Sequence, residues 1–177
     1  ATASKRYQDA ADAAGAKCRI LDTRKTTPGW RNLEKYAVAT GGAFNHRIGL
    51  FDRVMIKDNH RELAGLGGTG GILRSVERAR KMYPGLEVEV EIDSLAELPE
   101  ALESKAEYIL LDNMSTADMA EAVRMTNHRA KLEASGNMTL ARIPEVAATG
   151  VDYISSGALT HSVKSADISM DIIQPGK

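Results

Sequence analysis

Residues 87–93 read EVEVEID, and the alternation in this stretch carries the reading of the fold. Successive side chains of an extended strand point to opposite faces, so Val88, Val90 and Ile92 share one face and Glu87, Glu89 and Glu91 the other. The apolar face suits a covering layer of helices, and the carboxylate face suits the inside of a curled sheet. Three inward carboxylates cannot sit unpaired in a dry lumen. The expectation is that the barrel's own lysines neutralise Glu87 or Glu89. Glu91, nearest the mouth, is expected level with Asp112 of the next strand.

Working outward, short runs of Val, Ile, Leu and Tyr recur on both sides of this segment. Residues 18–22, 53–57, 87–92, 108–112, 131–134 and 151–155 are six predicted strands. Helical spacing marks 5–14, 32–40, 72–82, 95–105, 116–124 and 140–149. Ser94 and Ser115 are placed as N-caps, with Glu97 and Asp118 three residues on, and Gly150 as a helix stop. Residues 58–71 read as a loop over the mouth.

Strictly alternating β and α argues for a parallel sheet covered by helices. Six strands form either an open doubly wound sheet or an incomplete barrel. What separates the two is where the unusual residues fall. Each strand ends in, or is closely followed by, a chemically loaded group: Arg24 with Lys25, Lys57, Glu91 with Asp93, Asp112 with Asn113, Ser135 with Gly136, Ser156 with Gly157. A barrel converges those ends on one mouth, whereas an open sheet spreads them along a line. The expected fold is therefore an incomplete, six-stranded parallel α/β barrel. At 177 residues it is one domain over 1–177.

The bulk composition narrows the partners. The chain is 43% hydrophobic and 27% charged, with a net charge of -1. Near neutrality gives no support to nucleic-acid or membrane-surface binding, so an anion site must come from local clustering. No apolar stretch reaches the roughly 20 residues that cross a bilayer. The first residues, ATASKRYQDA, lack the apolar core of a signal peptide, and a cytoplasmic location is the default. The single cysteine, Cys18, beside Ile20 and Leu21, reads as a packed, inert thiol. His60, His128 and His161 show no metal spacing, and the lone Trp30 offers no stacking platform for bases. Gly65, Gly67 and Gly70 spell the G-x-G-x-x-G of a nicotinamide-binding turn. That fingerprint should follow a strand directly, and here 58–64 intervenes.

Three constellations carry chemistry. Arg24 and Lys25 in DTRKTTPG, His46 and Arg47 in GGAFNHRIG, and Lys57 in MIKDNH form a cationic set. Each could pair with a local acid such as Asp22, Asp52 or Asp58; gathered at one mouth, they would match the carboxylates or phosphates of a multiply anionic substrate. Glu91 and Asp112 form an acidic set suited to Mg2+, sugar hydroxyls or a developing positive charge on a ribose carbon. The turns Ser135–Asn137 and 155–160 bring small residues where a phosphate could approach backbone N–H groups.

Taken together, ILDTRKTTPGWRNLEKYAVATGG, NHRIGLFDRVMIKDNH, VEVEID, ILLDNM, LEASGN and YISSGALTHSVKSADISMDI resemble the quinolinate phosphoribosyltransferases, the carboxylating nicotinate-nucleotide pyrophosphorylases. The resemblance covers nearly all of the chain with the motifs in order. It implies the catalytic barrel of the type II phosphoribosyltransferase kind. It also implies the making of nicotinate mononucleotide, CO2 and diphosphate from quinolinate and phosphoribosyl diphosphate, with Mg2+, in NAD biosynthesis. By this resemblance Arg24, His46, Arg47 and Lys57 hold the two carboxylates of quinolinate, and Lys25 lies between quinolinate and the diphosphate. Glu91 and Asp112 bind ribose hydroxyls and Mg2+, and stabilise an oxocarbenium-like transition state. Ser135, Gly136, Asn137 and Gly157 cradle the 5′-phosphate. The implied catalytic set is Lys25, Lys57, Glu91 and Asp112, and the implied assembly is a homodimer or a higher homo-oligomer.

The family also carries an N-terminal sandwich domain that this sequence does not show. Ala43 stands where a third glycine is common, and Ser156 where an apolar residue is common. Two rival readings stay open: a paralogous barrel acting on another acidic ring, and a non-catalytic domain that binds pyridine carboxylates or sugar phosphates without turnover.

Overall fold

The computed structural model describes residues 1–65 and 70–172. Six strands run in parallel: β1 (Arg19–Leu21), β2 (Val54–Ile56), β3 (Val88–Ile92), β4 (Tyr108–Asp112), β5 (Lys131–Ser135) and β6 (Tyr153–Ser155). Their order is β1-β6-β5-β4-β3-β2. In a flat sheet the first and last of six strands would lie about 24 Å apart, five spacings of roughly 4.8 Å. Yet Arg24 and Lys25, just past β1, line the same cavity as Met55 of β2 and Lys57 just past it. The sheet is curled into an incomplete barrel, open between β1 and β2. Beside β1 the gap is narrowed by Phe44, which bridges Leu21. Phe44 N donates to Ile20 O at 2.8 Å, and Asp22 N donates to Phe44 O at 3.1 Å.

Helices cover the outside: α1 (Thr2–Ala13), α2 (Arg31–Thr40), α3 (Asp58–Gly65), α4 (Gly71–Met82), α5 (Leu98–Glu103), α6 (Thr116–Thr126) and α7 (Ile143–Ala147). The core lies between the two layers. Val88, Val90, Ile92, Ile109, Leu111, Ala134 and Ile154 are wholly buried there, against Ile72 and Val76 of α4 and Met119 and Ala122 of α6. Each such Val or Ile contributes about 1.5–3 kcal/mol by leaving water. On β3 the opposite face is polar, as the alternation of 87–93 requires. Glu89 is fully buried, Glu91 is partly covered, and Glu87 is exposed.

Several expectations are corrected. Residues 58–65 are helix α3, not loop. This short segment has only Leu63 as a large apolar residue, so it shows no apolar stripe to read. His60 N and Arg61 N donate to Lys57 O, so the turn starts directly from the strand end. The intervening element between β2 and the glycines is thus a helix, and Gly67 of the glycine-rich motif lies outside the described residues. Ser94 does not cap α5, whose N-cap is Glu97 with a proline in the first turn. Residues 140–142 form a 3-10 turn, and α7 starts after it with Pro144 in its first turn. Ser115 does cap α6, accepting from Asp118 N at 3.1 Å. Gly150 has φ +93, which turns the chain out of α7 towards β6. Asp112 is not level with Glu91: Leu110 is Glu91's partner in register, so Asp112 stands two residues farther up the same face.

One buried ion pair ties the histidine-bearing loop to the barrel. Lys35 of α2, only 3% exposed, donates to Asp22 Oδ1 at 2.5 Å and to His46 O at 3.1 Å. The same Asp22 oxygen accepts His46 N at 2.8 Å. Burial raises the Asp22 pKa, and Lys35 opposes that rise. Removing one member of such a pair strands a buried charge. Lys35→Met is therefore expected to cost about 3–5 kcal/mol in urea unfolding. Lys5→Met, at the exposed Lys5–Asp9 pair of α1, leaves the midpoint unchanged.

Candidate active site

The strand ends open into two adjoining cavities. The first, about 200 Å3, is walled by the cationic set Arg24, Lys25, His46, Arg47 and Lys57 and by the carboxylates Glu91 and Asp112. Its floor is Met55, Leu110, Glu133 and Ser155. The second, about 470 Å3, lies over the turns after β5 and β6 and includes Gly136, Asn137 and Gly157. Lys25, Asp112 and Ser135 line both, so the two form one site with a shared wall.

The cations are held in place but not used up. Arg47 donates from Nη1 to Arg53 O at 3.1 Å and from Nη2 to Met55 Sδ at 3.4 Å. Burial, and then the charge of Arg24 beside it, lower its pKa. Arg24 has a buried Nε with no hydrogen-bond partner among the described residues. Among the described residues, Arg24, Lys25 and Arg47 make no ion pair with a carboxylate. Lys57 pairs with Glu91. Two of the local acids named as possible partners are occupied elsewhere. Asp22 holds Lys35. Asp52 accepts Ile48 N at 2.6 Å and Gly49 N at 2.8 Å, which lowers its pKa against the effect of burial.

His46 lies on the cavity wall, but its ring is engaged below the site. Nε2 is 3.1 Å from Glu89 Oε2 and 3.3 Å from Glu133 Oε2. Arg53 sits 3.5 Å from Glu89 and 3.7 Å from Glu87. The side chains that meet the inward glutamates are thus a histidine and an arginine, not lysines. The histidine is drawn in because a wholly buried carboxylate needs hydrogen-bond donors that water cannot supply.

The small-residue turns owe their shape to steric limits. Gly136 has φ +90, and a Cβ there would collide with the side chain and backbone N of Asn113. Asn113 and Asn137 also take the left-handed conformation, which asparagine tolerates best among residues with a side chain. Asn137 Nδ2 donates to Asn113 Oδ1 at 3.3 Å, and Asn113 Nδ2 to Asp112 Oδ2 at 2.9 Å. At Gly157 a Cβ would strike the ring of His161. Ser156, where an apolar residue is common, donates to Met138 O at 2.8 Å and joins the two turns.

All eleven expected site residues thus line one or both cavities. Sequence reasoning missed Glu133, although the alternation in KLEAS sets Glu133 on the face opposite Leu132 and Ala134. It also missed Arg142, which braces the first turn by donating to Gly136 O at 3.3 Å and Met114 O at 3.1 Å. His161, set aside for its lack of metal spacing, lines the second cavity. Nothing in its local sequence signals that. Cys18 lies outside the site, its pKa pushed up to about 12 by burial and then by Asp152, so it is no nucleophile.

Comparison with known proteins gives this geometry a context. The model of the family "Quinolinate phosphoribosyl transferase, C-terminal domain" matches residues 1–171. A probable nicotinate-nucleotide pyrophosphorylase [carboxylating] of Bacillus subtilis is 48% identical over 87% of this chain and 52% of its own length. One of Synechocystis is 47% identical over 98% of this chain and 58% of its own. The nicotinate-nucleotide pyrophosphorylase structure from Francisella tularensis superposes with a TM-score of 0.84 at 42% identity, covering 94% of this chain and 56% of that one. The chain spans about half the length of the curated relatives it matches. Gly136→Ala is expected to cost about 1–3 kcal/mol through backbone strain. It should also weaken binding of inorganic phosphate, as calorimetry beside urea unfolding would show.

Proposed function

Because this chain belongs to the quinolinate phosphoribosyl transferase family, we propose that its barrel mouth transfers a phosphoribosyl group from phosphoribosyl diphosphate to quinolinate, with decarboxylation to nicotinate mononucleotide. The observation that carries this reading is the set of cations around the first cavity, above all the buried, unpartnered Nε of Arg24. Burying such a group without a partner is costly, and a carboxylate arriving with the substrate removes the cost. Arg24, Arg47 and Lys57 suit the two carboxylates of a pyridine dicarboxylate. Lys25, on the wall common to both cavities, suits a place between that ring and the diphosphate.

The second cavity supports the donor. Its Gly136, Asn137 and Gly157 leave room for the 5′-phosphate against backbone. The pyridine nitrogen attacks the ribose carbon, and the bond to the diphosphate oxygen breaks with its electron pair leaving on the diphosphate. Positive charge developing on the ribose carbon is met by the carboxylates of Glu91 and Asp112. The bond from ring to adjacent carboxylate then breaks, CO2 departs, and the electron pair left on the ring carbon, stabilised by the positive nitrogen, takes up a proton.

Glu91 and Asp112 also fit Mg2+: they are hard oxygen donors on adjacent strands at the mouth, with room for phosphate oxygens beside them. The ion would neutralise charge on the leaving diphosphate. Trp30, Leu33 and Tyr36 are exposed along α2, a patch that supports a homo-oligomer. Among the described residues no helix is long and apolar enough to cross a membrane. The single, reduced and buried thiol is consistent with the cytoplasm.

The experiment is release of diphosphate and CO2 from quinolinate, phosphoribosyl diphosphate and Mg2+ by wild type, Lys57→Ala and Glu91→Ala. Wild-type release is expected, falling about a hundredfold or more in each variant. Quinolinate binding without release would leave a binding domain in place of the enzyme. Neither binding nor release would contradict the substrate assignment.

A further inference from the structure

At the cavity floor and just beneath it three ionisable side chains meet from three elements: His46 from the loop after α2, Glu89 from β3 and Glu133 from β5. Both glutamates are wholly buried. The charged groups that face them are Arg53, just before β2 and 3.5 Å from Glu89 Oε2, and Arg47 of the histidine loop. Beside Glu133 stands Ser155 of β6, and β4 presents the uncharged Leu110 in register with it. Two carboxylates this close, away from water, do not both stay ionised without a cation between them.

A charged His46 would be that cation. Burial opposes its charge, but Glu133 and Glu89, while ionised, outweigh burial and push its pKa up to about 10. The other ring nitrogen excludes this state. His46 Nδ1 accepts the backbone N–H of Arg47 at 2.7 Å. An imidazolium carries hydrogen on both nitrogens and accepts none. The two observations agree only if the hydrogen that the carboxylates would draw onto His46 sits on a carboxylate instead. Glu89 has Arg53 to hold its charge. Among the described residues Glu133 forms no ion pair with an arginine or lysine, and neither of its oxygens accepts a hydrogen bond of good geometry. Burial, and then the charge of Glu89, raise its pKa. A hydrogen on Glu133 also supplies a donor to a group of orphaned acceptor oxygens that includes Glu89 Oε2.

These side chains are also metal-ligand types within 4.8 Å of one another. A metal on Nε2 would leave the ring's hydrogen on Nδ1, which the contact from Arg47 again excludes.

We propose that Glu133 stands as a neutral carboxylic acid beneath the site, with His46 as its neutral positioning partner, so that the floor is electrically balanced and Arg24, Lys25, Arg47 and Lys57 are left to receive a dianionic ring. This rests on the proposed function for the substrate class, though not for the placement of the hydrogen. His46 then acts through Arg47, whose backbone it fixes, and does not itself hold the substrate.

Two spectra of the folded protein at neutral pH test the placement. Nitrogen NMR of 15N-histidine protein is expected to show His46 as a neutral ring with hydrogen on Nε2. Difference infrared between wild type and Glu133→Gln is expected to show a protonated-carboxyl stretch, shifted in D2O, in the wild type alone. Glutamine is the uncharged isostere, so quinolinate affinity by calorimetry should stay within about threefold of wild type. A doubly protonated His46, a missing carboxyl band, or an affinity change of about tenfold in either direction overturns the proposal. Failure of wild type to bind quinolinate overturns the substrate assignment, while the spectra still decide where the hydrogen sits.

Discussion

A carboxylate sealed inside a curled sheet has to be met by donors from the protein itself, because water cannot reach it. Glu89 is in that position at the middle of β3, and the surroundings of the site follow from it. Arg53 approaches from the residue before the neighbouring strand, and His46 is drawn down from a loop that would otherwise hang over the open side of the barrel. Once His46 is anchored, Arg47 next to it is placed at the mouth with its guanidinium against β2. The Lys35–Asp22 pair holds the same loop from the other side. The charges inside the barrel thus set where the charges at its rim stand.

That rim separates into two functions joined by shared residues. The first cavity gathers cations with spare hydrogen-bonding capacity, and the second offers tight turns kept open by Gly136 and Gly157. Lys25 and Asp112 belong to both, one positive and one negative. A reaction that joins an anionic ring to a phosphorylated sugar needs this division: a cationic seat for the ring, a backbone cradle for the phosphate, and a charged wall between them where bonds change.

Much of this was legible in the sequence because period-2 alternation and strand-end chemistry are local. EVEVEID announces an apolar outer face and a charged inner one, and ILLDN and LEASGN place polar groups at matching strand ends. What escaped reading depends on contacts between distant segments. The ring of His46 turns to Glu89 and Glu133, 43 and 87 residues away, and no spacing rule reports that. Arg142 and His161 enter the site only because the turns after β5 and β6 fold back beside them. Helix α3 was hidden for a different reason. Its polar sequence DNHRELAG lacks an apolar stripe, and it is held by hydrogen bonds from the end of β2 and by packing on α4.

The central claim is that the first cavity seats a pyridine dicarboxylate by its cations. A crystal structure of the protein with quinolinate tests it most directly. The account predicts the ring over Met55 and Leu110, with its carboxylates against Arg24, Arg47 and Lys57 and its nitrogen towards the wall formed by Lys25 and Asp112. Quinolinate bound elsewhere, or in this cavity with its carboxylates turned away from the arginines, would contradict it.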